Sequence, residues 1–253
     1  MRLRSFGVTF EIVAARDVVG ALAPAFPPHA TRTACEGRAL RFSVGLAHPD
    51  RGRLMTIHRG RRTICRDAPL VVARDILEHA LRRAIAVSSP HHLFLHAGVV
   101  GWKGRAILIP GHSFSGKSTL VQALVAAGAT YYSDELAPIG DDGLVHAYRR
   151  PIALRTHGGA FASPSLPAPR AQSVKPLPVG LIVCTRYREN AAWAPQELTS
   201  AEAAMELLAN TIPIRARPRR ALRLLKRLAL GAPAHRSERG EARDAAREIL
   251  RMI

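Results

Sequence analysis

The residues with the clearest chemical potential lie together in GHSFSGKS, at positions 111–118. The run fits the pattern G-x-x-x-x-G-K-[ST], in which glycines let the backbone fold into a cup of inward-facing N–H groups at a helix N-terminus. Such a cup holds a polyphosphate. Gly111, Ser113, Ser115, Gly116, Lys117, Ser118 and Thr119 would line it, with Lys117 reaching the β- and γ-phosphates and Ser118 offering a hydroxyl to Mg²⁺. Seventeen residues beyond Lys117 stands the pair Asp134 and Glu135. That interval holds one helix and one strand. It predicts that the pair ends a strand neighbouring the phosphate loop, where a carboxylate can bind a metal or take a proton from an attacking hydroxyl. A third candidate is His96, on the apolar run LFLHAGVV. If that run pairs beside the loop, His96 can approach and orient Asp134; otherwise it is a core histidine.

These groups need elements to carry them. LFLHAGVVGWKGRAILIPG reads as two apolar strands about Lys103 and Gly104, the second feeding directly into the loop. Residues 118–127 read as a helix stopped by Gly128. ATYYSDELAPI reads as one strand bearing both acids, Asp141, Asp142 and Gly143 as a turn, and 144–148 as a returning strand. Residues 156–178 have loop composition, VGLIVC is a buried strand, and 199–209 is a helix capped by Thr199. Upstream, Phe6, Val8, Phe10 and Ile12, then Leu40, Phe42, Val44 and Leu46, alternate as strands do, and residues 53–65 read as a hairpin about Arg59 and Gly60. Helical spacing over 68–87 and a break at SSPHH predict a β-rich region over 1–90 and a second region over 91–253. The tail from Leu222 reads as helical, interrupted near Gly231 and Pro233.

Composition is that of a globular chain: 253 residues, 47% hydrophobic and 22% charged. The formal charge of +18 is concentrated at the ends. Residues 1–90 carry 15 bases and 7 acids, 91–214 carry 10 and 8, and 215–253 carry 12 and 4. The densest run, IRARPRRALRLLKR, holds seven bases and no acid. It reads either as a solvated helix with Leu222, Leu225 and Leu228 packed inward, or as a surface for an acidic partner. It lacks interleaved aromatics and any nucleic-acid motif, so nucleic acid is not the expected partner. Glu11 interrupts any N-terminal signal core, histidines and Pro90 break the longest uncharged run, and three scattered cysteines form no metal or disulfide pattern. A cytoplasmic chain with no membrane partner is expected.

The stretch HAGVVGWKGRAILIPGHSFSGKSTLVQALVAAGATYYSDELAPI resembles the HPr kinase/phosphorylase family, and more closely the HPr-kinase-related serine kinases. They share the order His-bearing strand, hairpin, phosphate loop and S-D-[DE]. The resemblance is strong over 96–139 and weaker through RRPIALR, VGLIVC and LTSAEAAMELL. It implies an α/β fold: a P-loop kinase core of the HPr-kinase and phosphoenolpyruvate-carboxykinase type with a mixed sheet, beside the small β-rich N-terminal region and the basic helical tail. It also implies ATP and Mg²⁺ as cofactors, Lys117 and Ser118 as their ligands, Asp134 as base for a seryl hydroxyl, His96 as its support, and Glu135 with Ser118 and Asp134 at the metal. The acceptor would be a peptide or small protein, such as a peptide natural-product precursor. Three departures point away from HPr itself: Thr119 where HPr kinases carry Glu, Glu135 in place of a second Asp, and no E-[IV]-R-G-L-G segment. Arg149, Arg150 or Arg155 would have to supply the missing arginine. A small-molecule kinase and a nucleotide-binding regulator or nucleic-acid-stimulated ATPase are the alternatives.

Overall fold

A computed structural model describes residues 1–35, 37–47, 54–112, 115–152, 174–212 and 217–253. The chain is α/β with mixed sheets and divides into two compact units, Met1–His91 and His92–Ile253. Expectations that fall on Ser113, Phe114, Arg155 and most of the 156–178 loop lie outside the described residues.

The first unit is a six-stranded sheet with helices. Strands β1 (Arg2–Ser5), β2 (Val8–Val13), β3 (Thr31–Arg32), β4 (Leu40–Ala47), β5 (Leu54–Arg59) and β6 (Arg62–Ala68) stand in the order β3-β1-β2-β4-β5-β6. Helices α1 (Arg16–Leu22) and α2 (Leu70–Ser88) accompany them. Phe10, Ile12, Phe42 and Ile57 are fully buried, as their alternation requires. Phe6 departs from its expected place: with φ 47° beside Gly7 it sits in the tight turn between β1 and β2.

The second unit is built around one long strand. β7 (His92–Trp102) hairpins through Lys103 and Gly104, both at positive φ, into β8 (Arg105–Pro110). Helix α3 (Lys117–Ala126) follows, then β9 (Thr130–Ser133), β10 (Leu136–Gly140) and β11 (Leu144–Val145). The chain continues through β12 (Leu177–Tyr187), β13 (Gln196–Glu197), α4 (Ser200–Ala209), β14 (Thr211–Ile212), α5 (Pro218–Gly231), β15 (Ala234–Arg239) and α6 (Ala242–Arg251). The sheet order is β11-β10-β7-β8-β12-β15-β13. β8, β12 and β15 run parallel, whereas β9, β10 and β14 lie antiparallel to β7.

Alternation along the central strands feeds two cores. Leu108 and Ile182 point into one, with Leu207 of α4 and Leu225 and Leu228 of α5. Ile107, Ile109, Leu181 and Val183 point into the other, with Leu120 and Leu124 of α3 and Ile249 of α6. The result is a sheet covered on both faces, the arrangement that near-continuous apolar strands demand. Among the described residues, no helix is long and apolar enough to cross a membrane.

Five expectations are corrected here. The acid-bearing run is two strands, broken at Asp134 and Glu135, because the Ser133 hydroxyl accepts the Glu135 and Leu136 N–H groups (3.3 and 3.1 Å) and turns the chain. It does not flank β8; the hairpin places β7 between them. The strand expected over 144–148 is the two-residue β11. The basic tail is not simply helical, since β15 inserts into the sheet beside β12 and is masked in the sequence by its polar composition, AHRSER. Within α5, Leu225 and Leu228 pack inward but Leu222 is 50% exposed.

Candidate active site

Strand β8 ends at Pro110, paired with Ala97, and the chain leaves the sheet as the Gly111 N–H binds the His96 carbonyl (3.3 Å). Gly116 caps α3 at φ 85°, a left-handed conformation natural to glycine. Its carbonyl accepts the first intrahelical bond, from Leu120 N–H at 3.1 Å. The N–H groups of residues 117–119 therefore have no acceptor inside the helix, and the dipole adds positive potential at the same end. A side chain at Gly111 would stand 2.9 Å from Ser115 Oγ, so the glycine keeps the loop's interior open. Ser115 Oγ is buried with no hydrogen-bond partner among the described residues. An orphaned hydroxyl within a loop of unsatisfied donors fits an oxygen-rich anion.

Lys117 is 6% exposed and donates to the His112 carbonyl at 2.6 Å. Burial pulls its pKa down from 10.5 to about 8, against the opposing attraction of Glu135 and Asp134. The loop lysine and both carboxylates therefore act on one another across the site. The carboxyl of Asp134 accepts hydrogen bonds from the Ser118 hydroxyl and from Tyr131 Oη (3.2 Å). Its burial, then its repulsion from Glu135, raise its pKa above the ordinary carboxylate value, and the two hydroxyl bonds hold it back. Two carboxylates and a hydroxyl are hard oxygen donors of the sort Mg²⁺ takes when phosphates complete its shell. Ser118, Asp134 and Glu135 thus fit that ion. Among the described residues, no group of three His, Cys, Asp or Glu side chains gathers to hold a metal by itself.

His96 sits in register with Leu136, and the next residue's N–H, Ala97, binds the Glu135 carbonyl at 3.3 Å. The backbone thereby sets His96 at the foot of the glycine-rich loop, where β8 gives way to β14 and its own N–H meets the Asn210 carbonyl at 2.7 Å. Arg149 donates through Nε to the Tyr131 carbonyl (2.8 Å), and the Arg150 carbonyl accepts from Tyr131 Oη (2.9 Å). Tyr131 was not among the sequence candidates. Strand alternation was the available signal, since it places Tyr131 on the α3 face and Tyr132 in the opposite core. Arg239, on β15, was missed as well. It is 1% exposed and donates to the Gly116 carbonyl at 2.7 Å. Set beside known proteins, the chain matches no family model and no curated entry.

Proposed function

We propose that the chain is an ATP-dependent serine kinase of the HPr-kinase-related type, with a P-loop kinase core, transferring the γ-phosphoryl group to a hydroxyl of a peptide or small protein in the cytoplasm. One observation carries the reading. The carboxyl of Asp134, hydrogen-bonded to Ser118 of the loop helix, shares its surroundings with the loop lysine. The chemistry follows from that arrangement. The acceptor oxygen bonds to the γ-phosphorus as the bond from phosphorus to the β,γ-bridging oxygen breaks. Asp134 takes the hydroxyl proton, and ADP leaves with the electron pair. Lys117 and the free N–H groups of the helix hold the charge that builds on the phosphoryl oxygens. Ser118, Glu135 and Asp134 would hold Mg²⁺, which when bound neutralises charge between the β- and γ-phosphates. A raised Asp134 pKa makes its carboxylate a better proton acceptor than an ordinary surface one. Tyr131 fixes the carboxyl from the other side.

The test is a screen of serine-bearing peptides with ATP and Mg²⁺, read as the mass gain of one phosphoryl group. Asp134→Asn is expected to slow transfer to any accepted peptide by about 10²–10⁴. Unchanged transfer would end the proposal.

A second reading, a nucleic-acid-stimulated ATPase, draws support from α5. Arg220 and Arg227 of that helix are occupied, donating to the Asp141 carboxylate (2.6 Å) and carbonyl (2.7 Å). Arg219, Arg223 and Lys226 are exposed and make no ion pair among the described residues. Hydrolysis of ATP that rises severalfold on adding single-stranded DNA or RNA would favour this reading over the first.

A further inference from the structure

Arg239 is the most deeply buried cation of the described chain and has the least reason to be so. Its donors go to two backbone carbonyls, Gly116 at 2.7 Å and Gly240 at 2.9 Å. Its Nε is buried with no partner, and no carboxylate lies within ion-pairing distance among the described residues. Its Cζ stands 5.6 Å from the Tyr187 ring centre, and Tyr187 N–H in turn binds the Ser115 carbonyl at 3.2 Å. A side chain at Gly116 would come 2.5 Å from Arg239 Nη2, so the guanidinium presses directly on the loop. Buried charges are normally paired, because removing them from water is costly. This one makes no close ion pair: Glu241 acts on it only through space, and its hydrogen bonds go instead to carbonyls, one of them that of the residue that starts the anion-binding helix.

We infer that Arg239 is a positioning residue whose charge, answered only at a distance by Glu241, is completed by the polyphosphate itself. It fixes the Gly116 carbonyl, and with it the left-handed loop residue, from behind. Its positive charge adds to that of Lys117 when phosphates enter. This deepens the kinase reading and rests on it for the identity of the nucleotide, but the claim about anion charge can be examined separately.

The experiment uses the full chain and two probes, sodium tripolyphosphate and ATP, with Arg239→Gln and Arg239→Lys. Gln keeps a donor for the Gly116 carbonyl and removes the charge; Lys keeps the charge. Tripolyphosphate is expected to raise the melting midpoint of the wild type. Its affinity should weaken at least tenfold in R239Q and less than threefold in R239K. The dependence of log affinity on log salt should become shallower in R239Q, a change that a purely structural prop would not produce. R239Q without ligand should melt no lower than wild type. If R239Q does not fold, R239K decides: affinity within threefold of wild type supports the inference, and a tenfold loss overturns it. Tripolyphosphate affinity in R239Q within threefold of wild type also overturns it, as does absence of any tripolyphosphate stabilisation in the wild type. Binding of tripolyphosphate in the expected pattern without binding of ATP would sink the kinase reading and leave this one standing. Normal ATP binding by R239Q would do the reverse.

Discussion

Two buried cations adjoin Gly116, Lys117 in front toward the carboxylates and Arg239 behind at the Gly116 carbonyl, and their surroundings differ. In front, Lys117 feels Asp134 and Glu135, so its charge is partly answered before any ligand arrives. Behind, Arg239 hydrogen-bonds only to carbonyls and lies over an aromatic ring, with one carboxylate, Glu241, acting on it from beyond ion-pairing distance. The front is arranged for exchange, since a lysine bonded to the His112 carbonyl can let go and turn to a phosphate. The back is arranged to hold, since a planar guanidinium spanning two carbonyls and stacked on Tyr187 has little freedom to move. On the proposed kinase reading, the difference separates the group that would follow a transferred phosphate from the group that keeps the loop in shape.

Substitutions at the two cations should divide accordingly. Lys117→Met is expected to weaken ATP binding by about 10- to 100-fold, the range for loss of hydrogen bonds to a charged group, measured by titration calorimetry. A loss smaller than that in R239Q would reverse the assignment of front and back.

The pH dependence of ATP affinity sharpens the contrast. With its pKa near 8 in the ligand-free protein, Lys117 must regain a proton to meet phosphate at higher pH. Affinity should be flat below about 8 and fall by up to about tenfold per unit above it, with proton uptake visible across buffers of different ionisation enthalpy. K117M should abolish the fall. Stability moves the opposite way. Between about 8 and 10.5 the native state holds fewer protons than the unfolded chain, so the ligand-free wild type gains stability as pH rises through that window. The gain is absent in K117M.

Asp134 gives a smaller effect. Its folded-state pKa is raised, so its contribution to stability is fullest below the ordinary carboxylate range and is lost as pH rises through the raised value. At neutral pH the charged carboxyl is therefore a cost, and Asp134→Asn should melt no lower than wild type by calorimetry while losing transfer. The smallest effect is a control away from the site. Thr199 caps α4 in a reciprocal box with Glu202. Thr199→Ala should lower the midpoint by about 2–4 °C and leave ATP affinity unchanged.

What could be read in advance depended on how strongly local chemistry fixes local structure. The β7–β8 hairpin was legible because Lys103 and Gly104 separate two apolar runs, and α3 because a G-x-x-x-x-G-K-[ST] run points to a helix beginning at its lysine. Thr199 was legible as a cap because Glu202 follows three residues later. Tertiary pairing was not legible. Nothing in ATYYSDELAPI announces that Ser133 will fold back and split the strand. β15 was hidden because only Ala234, Ser237 and Arg239 of its six residues are buried, an arrangement that leaves no apolar alternation. Arg239 was lost with it, one of 37 basic residues and indistinguishable from solvated ones until the parallel pairing of β15 with β12 brings it beneath Gly116.

The central claim is that Asp134 works on the terminal phosphoryl group held by the loop. It is tested without an acceptor peptide by single-turnover hydrolysis of ATP, with water in the acceptor's place. Slow, Mg²⁺-dependent release of phosphate is expected from the wild type, falling by about 10² or more in Asp134→Asn when both are saturated with ATP. Equal rates in the two proteins at equal ATP occupancy would contradict the account.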